Sequence, residues 1–90
     1  SFIQCNFEDA TLTNLDAVEA NFSDSNFTNA VVSGNLTKSH FQRCDLKNTN
    51  FSGSNFTDAD LTDALHFDPS VHTGVIYSNT TLPDGTIRTD

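Results

Sequence analysis

A large apolar residue recurs every five positions along most of this chain. Cut into fives from Cys5, the sequence reads CNFED, ATLTN, LDAVE, ANFSD, SNFTN, then a four-residue unit, AVVS, then GNLTK, SHFQR, CDLKN, TNFSG, SNFTD, ADLTD and ALHFD. SFIQ, at the start, is a unit lacking its first residue. The third position holds Phe2, Phe7, Leu12, Ala17, Phe22, Phe27, Val32, Leu36, Phe41, Leu46, Phe51, Phe56, Leu61 and His66, all Phe, Leu or Val except Ala17 and His66. First positions are small, second positions favour Asn and Asp, and fourth positions favour Ser and Thr. Five is the period of neither regular backbone. On an α-helix a step of five turns by about 140°, which scatters the Phe residues around the axis. On a flat strand an odd period sends successive Phe residues to opposite faces. A chain that turns through about a quarter circle at each unit brings them all inward. Positions one and three then point to the axis, and the rest face out or form the corner. Four units close a square coil, and successive coils stack as parallel ladders about 4.8 Å apart.

These units resemble the pentapeptide repeat family, whose pattern is A(D/N)Lxx. ADLTD at 59–63 matches it fully, and ANFSD and CDLKN are close variants. The resemblance spans residues 1–68 and implies an all-β fold, a right-handed quadrilateral parallel β-helix of about three and a half coils, roughly 16 Å long by the ladder spacing. The domain reading is therefore a pentapeptide-repeat β-helix over 1–68 and a C-terminal cap or tail over 69–90. The segment "IYSNTTLPDGT" also resembles a tail that often follows such repeats.

Units four apart share a face, so the register predicts the third-position columns Phe7–Phe27–Leu46, Leu12–Val32–Phe51, Ala17–Leu36–Phe56 and Phe2–Phe22–Phe41–Leu61. LDAVE reverses the size pattern, with large Leu15 first and small Ala17 third; the readings are a volume exchange within the coil or a bulge that turns Val18 inward. AVVS lacks a residue, which predicts a tighter corner between Val32 and Gly34, with Gly34 supplying backbone freedom. Cys5 and Cys44 fall two coils apart in one inward column, about 9.6 Å by the ladder spacing. That exceeds disulfide reach and predicts two buried reduced thiols. Lys38 falls between Glu19 and Asp58, and Arg43 between Asp24 and Asp63, which predicts charge columns running between coils rather than a basic docking patch.

The repeat fails at ALHFD, where His66 and Phe67 are out of pattern and Pro69 follows. Val75, Ile76 and Tyr77 favour a strand, Pro83-Asp84-Gly85 marks a turn, and Ile87 is placed to return apolar surface to the core. The expectation is that 69–90 fold over the last coil. Nothing equivalent precedes Phe2. A larger parent chain, an end-to-end homodimer or a partner protein would each cover that edge. With no Met in the chain, Ser1 is not a translation start. The expectation is a processed chain or a segment of a longer one.

Twelve acids against four bases give a formal charge of −8. That argues against direct nucleic-acid binding, which needs clustered Lys and Arg. There is no apolar run long enough to span a membrane. Asn-x-Ser/Thr occurs at Asn21, Asn26, Asn35, Asn50, Asn55 and Asn79, largely as a by-product of the repeat. His40, His66 and His72 match no zinc spacing, and both Cys point inward, away from them. No Ser or Asp pairs with a His in a nucleophile motif, and no glycine-rich phosphate loop is present. No catalytic, cofactor-binding or metal residue is assigned, and no cofactor is expected. The expected function is a noncatalytic structural or protein-interaction module with protein partners, possible end-to-end homodimers and no membrane insertion by this segment. The resemblance implies the same, for a family abundant in cyanobacteria and plastids and often found in the thylakoid lumen; a cytoplasmic location is the alternative. It also implies a second function, inhibition of DNA gyrase or topoisomerase by imitating duplex DNA. The charge fits that reading; such relatives have about twice as many coils and a C-terminal dimer interface that the polar tail here lacks.

Overall fold

The structure is a computed structural model that describes residues 2–68 and 73–89. No helix occurs among the described residues. The unit of construction is the corner. The fifth residue of nearly every unit sits in the left-handed region, with φ of 62° at Asp9, 64° at Asp24, 61° at Asn29 and 58° at Asp58. The third-position carbonyl accepts the N–H of the next unit's first residue, as in Phe27 to Ala30 at 2.9 Å and Phe51 to Ser54 at 3.0 Å. Positive φ at the third of four turn residues defines a type II turn. Asn and Asp tolerate that conformation better than other L-residues. The second-position Asn or Asp braces the same corner. The Oδ1 of Asn26 accepts the Thr28 N–H at 2.9 Å, and Asn50 and Asp60 do the same for Ser52 and Thr62. Fourth-position Thr adds its hydroxyl to that acceptor, as Thr57 does to Asn55 at 2.6 Å. The Asn-x-Ser/Thr pattern is thus a hydrogen-bonding device of the turn.

Successive coils are joined through second positions, by parallel bridges such as Asn6 to Asn26, Asn26 to Asp45, His40 to Asp60 and Asp60 to Thr81. The ladder has a direction. Third-position N–H groups donate forward to the next coil, as Phe7 does to Asn26 at 2.7 Å and Phe41 to Asp60 at 2.8 Å. Second-position N–H groups donate back to first-position carbonyls, as Asn26 does to Cys5 at 3.0 Å and Asp60 to Ser39 at 2.9 Å. Four units therefore complete each turn, and the chain is a β-helix.

Its core is a stack of rings. Along a column the rings lie face to face: Phe2 on Phe22 (5.3 Å between centroids), Phe22 on Phe41 (5.0 Å) and Phe7 on Phe27 (4.9 Å). Between columns they meet edge-on, as Phe22 with Phe27 (5.6 Å, 75°) and Phe41 with Phe51 (5.7 Å, 82°). Both geometries satisfy the ring quadrupoles. Phe27, Phe41, Phe51 and Phe56 are fully buried. First positions pack between them, and several tie coils together: the hydroxyls of Thr49 and Ser54 donate to Phe27 O (2.7 Å) and Val32 O (3.0 Å) in the preceding coil.

The short unit is accommodated where the sequence places it, between Val32 and Gly34. Strand β1 (Thr11–Asp16) runs parallel to β2 (Val31–Asn35), although Asn14 within β1 keeps the left-handed φ of the other corners, 57°. Thr11 and Leu12 pair with Val31 and Val32, Leu15 and Asp16 with Gly34 and Asn35, and a bulge between Leu12 and Leu15 absorbs the missing residue. Gly34 has φ of +141°, and a Cβ there would overlap the Leu15 backbone. Close approach therefore fixes glycine at this position as firmly as its dihedral does. Val18 is exposed, so no bulge turns it inward, while Leu15 and Ala17 are half-buried against the core.

The structure departs from expectation after the repeat fails. His66 takes a φ of 62° and turns its ring outward, so it does not occupy the inward third position. Phe67 packs inward instead, 6.3 Å from the Phe51 ring and 6.4 Å from Phe56. Pro69 and His72 lie outside the described residues. Val75–Asp84 then stack as two further units in the ladder rather than folding across its end. Ile76 bridges Asn55, Thr81 bridges Asp60, Tyr77 stacks on Phe56 at 6.1 Å, and the Thr80 hydroxyl donates to Phe56 O at 2.7 Å. Asn79 even carries the fifth-position φ, 54°. The Pro83-Asp84-Gly85 turn forms as expected, with Asp84 Oδ1 accepting the Thr86 N–H and hydroxyl. It returns the chain so that β3 (Thr80–Thr81) pairs antiparallel with β4 (Ile87–Arg88). Ile87 is 54% exposed and adds nothing to the core; Arg88 lies over the Tyr77 ring at 4.1 Å.

Candidate interaction surfaces

Because rings fill the axis, chemistry is confined to the four outer faces and the two ends. The faces carry second-, fourth- and fifth-position side chains. On one, Arg43 grips Asp24 with two hydrogen bonds, Nε to Oδ1 at 2.7 Å and an amino nitrogen to Oδ2 at 3.2 Å. The guanidinium hydrogen bond holds the Asp24 carboxyl below the usual carboxylate range, and Arg43 is raised in return. Both are fully solvated, so this fork fixes register more than it stabilises. The other expected column does not form. Among the described residues Lys38 makes no ion pair with Glu19 or Asp58. Asp58 instead accepts from Asn79 Nδ2 at 2.8 Å, because the tail units extend the fifth-position column by one more coil. Asn48 and Asn29 continue another such column at 3.3 Å.

Cys44 is fully buried, with its thiol donating to Phe22 O at 2.9 Å, and burial pushes its pKa up to about 11. It is a small core residue with an unreactive thiol. Cys5 is also free but only half-buried, because no coil among the described residues lies beyond it. The expectation of two buried thiols thus fails for Cys5, for a reason of position in the stack. His40 is exposed at a second position, and the His66 Nδ1 lies 3.0 Å from Asp45 Oδ1. No group of three or more His, Cys, Asp or Glu among the described residues is arranged to hold a metal. The His66–Asp45 pair borders an open recess of about 430 Å³ where the repeat breaks, between Leu46, Thr49 and Phe67. Among the described residues no hydroxyl or thiol nucleophile is hydrogen-bonded to that imidazole.

The two ends differ. The C-terminal end is partly closed by the β3–β4 return, which covers Tyr77 (4% exposed). Burial raises the Tyr77 pKa, and its hydroxyl has no partner among the described residues. Among the described residues no coil covers the N-terminal end. Phe2, Ile3 and Val18 are 48%, 49% and 43% exposed. Together with half-buried Phe7, Leu12 and Leu15, Phe2 and Val18 surround an apolar recess of about 260 Å³. Glu8, Asp9, Asp16 and Glu19 stand exposed on the same coil. Their significance was readable in sequence only as an asymmetry: no Lys, Arg or His precedes Lys38.

The model for pentapeptide repeats matches residues 2–34 and 35–65, in eight copies. A comparison with curated proteins gave no match. Among solved structures, the chain is similar to HetL, a pentapeptide repeat protein involved in heterocyst differentiation regulation from the cyanobacterium Nostoc sp. strain PCC 7120. Sequence identity is 20% and the TM-score 0.49, over 97% of this chain and 42% of that one. The chain thus spans less than half the length of that structure.

Proposed function

This chain belongs to the pentapeptide repeat family, and from that premise we propose that it is a noncatalytic protein-interaction module. In this reading it is a right-handed, four-sided rod of about four coils by the ladder spacing, with a short C-terminal return as its cap. The observation that carries the reading is the solid interior: Phe27, Phe41, Phe51 and Phe56 have no exposed surface, so a ligand must meet the outer faces or an end. Such rigid faces suit docking of another protein, because little conformational freedom is lost on contact. The proposed setting is a plastid or cyanobacterial compartment such as the thylakoid lumen, with the cytoplasm as alternative. Cross-linking of the purified chain in an extract of its source organism tests the reading, with the cross-linked positions mapped on the rod. Cross-links converging on one face or end to a single partner are expected. An absence of any partner cross-link removes it.

A second reading, inhibition of DNA gyrase by imitation of duplex DNA, draws on the charge of −8 and on the outward placement of acids such as Asp58, Asp60 and Asp63. A supercoiling assay with purified gyrase decides it; unimpaired supercoiling at micromolar protein discards it.

A further inference from the structure

We propose that the one uncharged outer face of the rod receives a second copy of this chain, set side by side with the first in a weak isologous dimer. This goes beyond the interaction-module reading, which names neither the face nor its occupant.

The first observation is where charge is missing. One face is built from the outward positions of ATLTN, AVVS and TNFSG and is continued by Thr73 and Gly74. Thr11, Val31 and Asn50 stand in register along it through parallel pairing, and Thr73 donates its N–H to Ser52 Oγ at 3.1 Å. Among the described residues this face holds no Asp, Glu, Lys, Arg or His. The faces on either side carry Asp9 and Asp45, or Glu19 and Asp58, and the face opposite carries Asp60 and Asp63.

The second observation is flatness. Fifth positions on other faces carry side chains in the left-handed region, such as Asp24, Lys38 and Arg43 at φ of 64°, 62° and 58°. This face has Gly53 and Gly74 instead, at 81° and 68°. A Cβ on Gly53 would meet open space, and one on Gly74 would make only ordinary contact with the Gly53 backbone. No contact among the described residues requires either glycine. Their effect is to let another surface come close to the backbone.

The third is a central apolar side chain. Second positions favour Asn and Asp, which brace the corner, yet the middle of this face has Val31, 37% exposed. Thr11, Ser33 and Asn50 surround it with uncharged polar groups. An apolar centre within a polar rim is the layout of a protein contact.

Charge selects the occupant. A basic partner gains more from the acidic faces. A second copy carries the same −8, and every other pairing of faces sets carboxylates against carboxylates, which is costly. Through the uncharged face two copies meet flat to flat about a two-fold axis. The acids opposite then lie across a width of 23 Å, well beyond the Debye length of about 10 Å at 0.1 M salt. One face of a molecule measuring 29 × 23 × 23 Å gives roughly 1,000 Å² over two copies, the range of weak, reversible contacts.

Sedimentation equilibrium from micromolar to millimolar chain, with amide NMR over the same range, tests this. A concentration-dependent dimer is expected, strengthened by added salt, with shifts at Thr11–Thr13, Val31–Ser33 and Asn50–Gly53. Gly53→Asp puts a carboxylate into the face at a corner type that holds Asp elsewhere, so the fold should stand and dimerisation should weaken about tenfold or more. Val31→Asn restores the repeat's usual residue and should weaken it several-fold. Asn29→Asp adds the same charge at a corner of another face and keeps the acceptor for Asn48; it should leave dimerisation within about twofold. Monomers throughout the range, shifts that map to an end or to an acidic face, association weakened by salt, or equal losses in Gly53→Asp and Asn29→Asp overturn the proposal. Each of those outcomes leaves the interaction-module reading standing, since that reading falls only if cross-linking finds no partner.

Discussion

Phe41 shows how much one position of this repeat carries. Its ring is fully buried, stacked on Phe22 and edge-on to Phe51 and Phe56 (6.0 Å). Neighbours above, below and beside it are held by the ladder, so they cannot collapse into a void. Phe41→Ala should cost about 3–5 kcal/mol, read as a lowered denaturation midpoint. Phe2→Ala, at the half-exposed mouth, should cost a small fraction of that. The thiols divide the same way. In the native protein a thiol reagent at pH 8 should label Cys5 and leave Cys44, and denaturant should release the second equivalent. Folding raises the Cys44 pKa, so the fold favours the neutral thiol. That contribution is complete below the ordinary thiol value of 9.0 and fades as pH rises toward about 11. Labelling of Cys44 at pH 8 as fast as Cys5 would mean the core opens locally.

At the scale of the unit, the corner sets the cost. Each fifth residue is held in a left-handed conformation that costs an L-residue about 1–2 kcal/mol and glycine little. Lys38 occupies such a corner (φ 62°) with no ion pair among the described residues to lose. Lys38→Gly should therefore stabilise the protein by about 0.5–1 kcal/mol, after allowing for glycine's greater freedom when unfolded. An unchanged or lowered melting temperature would show that the lysine stem contributes packing. Gly34 and Gly53 separate two reasons for glycine. At Gly53 (φ 81°) a Cβ would meet open space, so Gly53→Ala should cost only the dihedral term, about 1 kcal/mol. At Gly34 the Cβ would overlap the Leu15 backbone, and Gly34→Ala should break the β1–β2 pairing, seen as fast exchange of the amides around Leu15 and Asn35.

For the whole molecule, stability follows from nearest neighbours: a coil is held by the coils it touches. Among the described residues the first coil touches one neighbour, whereas the coil that holds Phe41 and Phe51 touches two. Hydrogen exchange should therefore be fastest over residues 2–20, slowest around Phe41–Leu61, and intermediate at Thr80–Arg88, where the β3–β4 return closes part of the end. Uniform protection along the axis would indicate all-or-none opening.

The five-residue period determined the turn, the inward ring columns and the four-unit register, because each is a local constraint repeated from Phe7 to Leu61 with only LDAVE and AVVS departing from it. The bracing role of Asn and Asp was legible for the same reason. Tertiary contact decided what the local pattern could not. Val75–Asp84 lack the second-position Asn or Asp and follow a break in the period, yet they stack on Asn55 and Asp60 because a coil already in place supplies the ladder partners. The residue absent from AVVS is matched by a bulge in the facing strand, where Gly34 lies close against the Leu15 backbone across coils. Lys38 makes no ion pair among the described residues, and Asn79, far away in sequence, reaches Asp58 instead. A period specifies what each unit does alike; only the finished stack specifies which unit has a neighbour.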